Sequence, residues 1–169
     1  MRAHLLSKYA FDTIGESLTP QFSSLIFSYP SDSREGASVG APTQPRKTLI
    51  ICEDDPDLLR VYRLAMRSKY DVVSATSGEE CLQKYSELRD EGRNVDGLLI
   101  DYRLGDTTGD LVAKKIRELN GTKVVLISAF EIDSELVNKL KSSGSISMFV
   151  KKPVTIQALG NALDNVMSK

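Results

Sequence analysis

The chain has no tryptophan, one histidine, two cysteines and no apolar run long enough to span a bilayer. Cys52 and Cys81 are too few and too far apart for a zinc knuckle or a disulfide framework, which fits a reducing, cytoplasmic setting. His4, the only imidazole, has no acidic or helical context, which argues against a phosphohistidine or a metal ligand. The formal net charge of -1 gives no pull toward nucleic acid or an anionic membrane. Near the N-terminus the longest apolar cluster is Leu25-Ile26-Phe27, far shorter than a signal-peptide core. What remains is an ordinary globular balance, 41% hydrophobic and 27% charged, in 169 residues, enough for one domain with an appendage.

The appendage is residues 1–46. Residues 31–46 are small, polar and rich in glycine and proline, the composition of a linker. Upstream, Tyr9, Phe11, Phe22, Phe27 and Tyr29 follow no helical or alternating period. Residues 1–46 therefore read as an extension without a core of its own, with a docking segment as the functional alternative.

From Lys47 the pattern changes to short apolar runs alternating with amphipathic stretches. Strands are expected at 48–52, 71–74, 97–100, 123–127 and 147–150. Asp55 and Pro56 open the first helix, whose apolar side is Leu58, Leu59, Tyr62, Ala65 and Met66. Ser77 and Glu80 form a capping box for the second, with Leu82, Tyr85 and Leu88 inward. Thr107 or Thr108 opens the third, with Leu111, Val112, Ile116 and Leu119 on one side and Asn120-Gly121 closing it. The fourth runs from about residue 133 to 143 on a thin stripe of Leu136, Val137 and Leu140, and the last carries Ile156, Leu159, Leu163 and Val166. Five strand–helix repeats with right-handed crossovers make an α/β, doubly wound parallel sheet with helices on both faces. The second cysteine falls on an inward helix position and the first on an inward strand position, so both read as packing residues.

Parallel strands deliver their C-terminal ends to one edge, where ligands bind in open α/β sheets. Glu53 and Asp54 follow the first strand, Asp101 the third, Ser128 the fourth and Lys152 the fifth. Three carboxylates at one edge repel one another, and a hard divalent cation resolves the repulsion while leaving room for phosphate oxygens. An acidic trio beside a lysine thus points to phosphoryl transfer, with Asp101 as nucleophile, Mg2+ and Lys152 neutralising the phosphoryl oxygens, and the Ser128 hydroxyl donating to one of them. Lys151 reads as a solvated neighbour, and Asp55 and Asp106 as caps or turn formers.

In this order the acidic pair Glu53-Asp54, Asp101 with Gly109 eight residues on, Ser128-Ala129 and Lys152-Pro153 resemble the receiver domain of the two-component response-regulator family, over residues 47–169. The resemblance implies the flavodoxin-like strand order 2-1-3-4-5 and an aspartyl phosphate at Asp101. It implies Mg2+ held by Glu53, Asp54, Asp101 and the backbone carbonyl of Arg103, a switch in which Ser128 swings toward the phosphoryl group while Phe149 turns inward, and a cis Lys152-Pro153 bond. It also implies that Arg103 and Phe130 tune the access of water to the phosphoaspartate. Three residues depart from the family pattern. Glu53 replaces the commoner Asp, Gly105 stands where proline is common, and Phe149 replaces the frequent tyrosine.

The expectation is a single-domain response regulator, not an enzyme beyond its own phosphorylation and dephosphorylation. It would take its phosphoryl group from a histidine kinase or phosphotransfer protein and signal to an unidentified downstream protein, with phosphorylation-driven homodimerisation left open. The alternative is a receiver-like interaction module that acts without phosphorylation. A haloacid-dehalogenase-type phosphatase would need a second Asp where Arg103 stands, and the Glu53-Asp54-Asp55 loop would repel a flavin phosphate.

Overall fold

A computed structural model describes residues 45–119 and 121–168, all within the unit Pro42–Lys169. The readings made for residues 1–44 and for Asn120 lie outside the described residues. Strands β1 (Thr48–Cys52), β2 (Asp71–Ala75), β3 (Gly97–Asp101), β4 (Lys123–Ser128) and β5 (Met148–Lys151) alternate with helices α1 (Pro56–Met66), α2 (Gly78–Asp90), α3 (Gly109–Glu118), α4 (Ser134–Ser142) and α5 (Ile156–Met167). All strand pairs are parallel, in the order β2-β1-β3-β4-β5. This is the doubly wound sheet expected from the repeats. No helix among the described residues is long and apolar enough to cross a membrane.

Side chains alternate across the central strands, so each run of apolar residues feeds two cores. Ile50, Cys52, Leu98, Ile100, Val124 and Leu126 face Cys81, Tyr85 and Leu88 of α2, Val112, Ala113 and Ile116 of α3, and Leu140 of α4. Leu49, Ile51, Leu99, Val125 and Ile127 face Leu59, Tyr62 and Met66 of α1 and Leu159, Leu163 and Val166 of α5. Cys52 and Cys81 are buried and reduced, as packing residues should be. The Cys52 thiol donates to the Ser77 carbonyl at 3.3 Å, and hydrogen bonding with Cys81 together with burial pushes its pKa far up.

Helix boundaries follow the capping chemistry. Asp55 accepts from the N–H groups of Asp57 (2.9 Å) and Leu58 (3.1 Å), with Pro56 inside the first turn of α1. At α2 the expected capping box forms only in part. Ser77 Oγ accepts the Glu80 N–H at 3.1 Å, but the Glu80 carboxylate accepts from the N–H (2.6 Å) and hydroxyl (2.7 Å) of Thr76 rather than from the Ser77 N–H. The apolar side assigned to α3 is corrected: Leu111 is 49% and Leu119 44% exposed, while Val112, Ala113 and Ile116 are buried. Position 111 lies about 100° around the helix from 112, and Leu119 follows the last helical residue. Ile156, at the start of α5, is likewise exposed. Gly121 closes α3 at φ 69°, a conformation open to glycine at little steric cost.

The Glu80 carboxyl is held down at about 2, first by its bond with Lys84 and then by those with Thr76. A depressed carboxylate pKa contributes stability that is present above the unfolded value near 4.5 and is lost as pH falls toward 2. Solvent screens this half-open pair, so its contribution is at most ~1 kcal/mol. Glu80→Gln should therefore lower the urea midpoint at pH 6, with the gap to the unmodified protein narrowing as pH falls; a gap independent of pH would contradict this reading.

Candidate functional site

The C-terminal ends of the strands carry the polar residues. β1 continues past Cys52 far enough for the Glu53 N–H to donate to the Ala75 carbonyl at 3.1 Å, and Glu53 turns inward with 3% of its side chain exposed. The cap made by Asp55 then turns the chain into α1, and Asp54 is left exposed at the rim. At the end of β3 Asp101 is buried, with 10% of its side chain exposed. The β4 and β5 ends are tied by the Lys152 N–H donating to the Ser128 carbonyl at 2.7 Å, and the Lys152-Pro153 peptide is cis.

Lys152 is the centre of the cluster. Its ammonium donates to Glu53 Oε2 at 2.9 Å and to Asp101 Oδ2, and stands 5.9 Å from the ring centroid of Tyr62. Asp101 Oδ1 accepts the Arg103 N–H at 3.1 Å. Two buried carboxylates thus share one ammonium. Burial pushes the Glu53 carboxyl up to about 7; Lys152 opposes this and the charge of Asp101 adds to it. Burial alone would depress Lys152, but its hydrogen bonds with Asp101 and Glu53 win, and its pKa is raised. The two shifts agree on one point: the cation is well held, while a single cation does not neutralise the pair.

Glu53, Asp101 and Lys152 are therefore in direct contact, as their positions at the strand ends suggest. Asp54 is not drawn in with them. Its carboxylate lies beside the β3–α3 loop, with Oδ2 3.9 Å from the place a Cβ on Gly105 would take. Among the described residues no group of three or more His, Cys, Asp or Glu side chains is gathered closely enough to hold a metal ion. The donor set nevertheless fits Mg2+ chemically. Carboxylate and carbonyl oxygens of Glu53, Asp54, Asp101 and Arg103 are the hard ligands this ion takes, and the charge left over on Glu53 and Asp101 favours a second cation.

Ser128 is fully buried, and its hydroxyl is engaged with its own loop: Oγ accepts the Phe130 N–H at 2.9 Å and donates to the Phe130 carbonyl at 3.2 Å. Phe149 is half-buried against the core on the α2, α3 and α4 side. The Arg103 guanidinium lies 4.4 Å from the centroid of the Phe130 ring, which is 50% exposed. Glu131, next in the same loop, forms an exposed ion pair with Lys151.

Two features explain residues that the sequence marks only by spacing or as a cap or turn former. A Cβ on Gly109 would lie 2.3 Å from the Asp101 carbonyl oxygen and 2.9 Å from Leu126 Cδ1, so the start of α3 packs directly on the end of β3. Asp106, read as a cap or turn former, caps a helix 28 residues earlier in the chain: its carboxylate accepts the N–H groups of Gly78 and Glu79, each at 2.9 Å. Those bonds hold its pKa below the usual carboxylate range. Only the folded chain brings the two loops together. A cavity of about 890 Å³ lies at the opposite edge of the sheet, around Arg63, Tyr70, Asp71 and Arg93, remote from this chemistry.

A sequence model described as the response regulator receiver domain matches residues 49–164. A cyclic di-GMP phosphodiesterase of Thermotoga maritima is 32% identical over 114 residues, covering 66% of this chain and 28% of that protein. The chain spans 28% and 19% of the lengths of two curated relatives it matches. Among solved structures, a CheY-like receiver domain protein from Methanospirillum hungatei shows 21% identity and a TM-score of 0.63, covering 73% of this chain and 94% of that one. The response regulator TrrA of Thermotoga maritima, solved in complex with Mg(2+)-BeF, shows 23% identity and a TM-score of 0.58, covering 71% and 98%.

Proposed function

Because the chain belongs to the response regulator receiver domain family, matched over residues 49–164, and so has a phosphoacceptor signalling role, we propose that Asp101 is its phosphoacceptor. The observation that carries this reading is the pair of buried carboxylates, Glu53 and Asp101, gathered at the strand ends around the single ammonium of Lys152. A carboxylate oxygen of Asp101 forms the new bond to phosphorus. The bond to the donor nitrogen of a phosphohistidine, on a histidine kinase or phosphotransfer protein, breaks, and the leaving imidazole takes up a proton. Lys152, already bonded to Asp101, pairs with a phosphoryl oxygen as charge gathers there. Glu53, Asp54, Asp101 and the Arg103 carbonyl would hold Mg2+, which when bound neutralises charge on the transferring group. Ser128 would exchange its bonds to Phe130 for one to the phosphoryl group, and Phe149 would move inward in step with it. Output then passes through protein contacts to a downstream partner, and the chain catalyses nothing beyond its own phosphorylation and dephosphorylation. The test is mass-spectrometric mapping after incubation with a small phosphodonor and Mg2+: the modification should sit on Asp101.

The family resemblance gives Arg103 and Phe130 a role in limiting water's access to the phosphoaspartate, and the contact between the two side chains, 4.4 Å from guanidinium to ring centroid, supports a long-lived phosphoryl state. Arg103→Asn/Phe130→Ala should shorten the hydrolysis half-life by a factor on the order of 10, equivalent to ~1.4 kcal/mol of barrier. An unchanged decay would refute the steric argument.

A further inference from the structure

We infer that Asp106 is a positioning residue for the proposed metal and phosphoacceptor site, acting through the loop that carries the Arg103 carbonyl. This inference rests on the reading of Asp101 given above. The loop, residues 102–108, is closed at its base by backbone contacts. Arg103 and Thr108 form an antiparallel bridge, the Leu104 N–H donates to the Thr107 carbonyl at 3.2 Å, and the Gly109 N–H donates to the Tyr102 carbonyl at 2.7 Å. Its tip, Gly105-Asp106, has no comparable backbone bond among the described residues, and Gly105 contributes no side chain to pack. A glycine at such a tip leaves many conformations open, so something outside the loop must select one.

Asp106 supplies that selection. Its two carboxylate oxygens accept the first two amides of α2, Gly78 and Glu79, each at 2.9 Å, while Ser77 Oγ takes the next amide, that of Glu80. Two bonds from one rigid carboxylate fix direction as well as distance, and the positive end of the helix strengthens both. The approach is close. A Cβ on Gly78 would lie 2.3 Å from Thr107 Cγ2 and 2.9 Å from Val112 Cγ2, so the loop and the start of α2 meet at a contact that only glycine permits. α2 is itself anchored in the core by Cys81, Tyr85 and Leu88. Position therefore passes from the core to α2, from α2 through Asp106 to the loop tip, and from the tip to the Arg103 carbonyl and the face of Gly105 that Asp54 lines.

Asp106 is exposed, so water can replace it at the Gly78 and Glu79 amides, and its removal should loosen the loop far more than it unfolds the domain. The experiment uses the full chain with Asp106→Ala and Asp106→Asn, the latter keeping one acceptor oxygen. Mg2+ alone is titrated by calorimetry, amide hydrogen exchange is followed at residues 103–108 without metal, and thermal midpoints are recorded. Asp106→Ala should bind Mg2+ about tenfold more weakly and exchange faster in the loop, with Asp106→Asn between it and the unmodified chain. Melting midpoints should stay within roughly 5 °C of one another. Mg2+ uptake by the unmodified chain with equal affinity and equal loop exchange in Asp106→Ala overturns this inference alone. No Mg2+ uptake by the unmodified chain overturns the metal-dependent phosphoacceptor reading and this inference with it.

Discussion

Asp101→Asn should abolish phosphorylation while leaving the domain folded. The amide keeps the shape of the side chain but offers no anionic oxygen to attack phosphorus, so the expected result is no detectable phosphoryl adduct under conditions that fully label the unmodified protein. The fold should survive because the substitution removes one of two buried carboxylates that share the Lys152 ammonium. With the Asp101 charge gone, one cause of the raised Glu53 pKa disappears, and that carboxyl should move back down from about 7 toward its ordinary value. The thermal midpoint of Asp101→Asn should accordingly be no lower than that of the parent at pH 7. Labelling that persists at full stoichiometry, or that maps to another residue, would dismiss Asp101 as the acceptor.

Gly109→Ala should be strongly destabilising for a single-methyl change. The new Cβ would meet the backbone oxygen of Asp101 at 2.3 Å, and a carbonyl at the end of a central strand cannot rotate away as a side chain can. Either α3 or the end of β3 must shift, at a cost of about 3 kcal/mol, the upper range for overpacking. In a domain of this size that corresponds to a fall of roughly 10 °C in melting temperature. Gly97→Ala provides the contrast. There the nearest atom is Met167 Sδ at 2.5 Å, part of a flexible side chain near the end of α5, so the chain can yield and the loss should stay below about 1 kcal/mol. Equal midpoints for the two variants would show that the contact between β3 and α3 is softer than its distance implies.

The strands were legible because a sheet covered on both faces needs continuous apolar runs, and Leu49-Ile50-Ile51 and Leu98-Leu99-Ile100 can be little else. The direct contact of Glu53, Asp101 and Lys152 was legible for the same reason, since strand ends in a parallel sheet share an edge. Periodicity failed where a helix has apolar residues outside its buried stripe: Leu111 and Leu119 look like core residues and are exposed. Local signals also could not decide between neighbouring donors, so the Glu80 carboxylate went to Thr76 and not to Ser77. Asp106 reads as a cap or turn former and is a cap, yet the helix it caps lies across the fold, and no spacing rule connects the two. Gly109 could be noted at eight residues from Asp101, but the carbonyl that excludes any side chain there is visible only in three dimensions.

The burial of Cys52 and Cys81 has a practical corollary. Both thiols of the chain are enclosed in the core, and Cys52 is held strongly in its protonated, unreactive form. The exterior is consequently silent toward maleimides and iodoacetamides without any cysteine having to be removed. A single new cysteine on an exposed helical position, for instance Ser142→Cys at the end of α4, would be the sole attachment point for a spin label or fluorophore. With no tryptophan in the chain, one indole introduced elsewhere would give that label a unique optical counterpart.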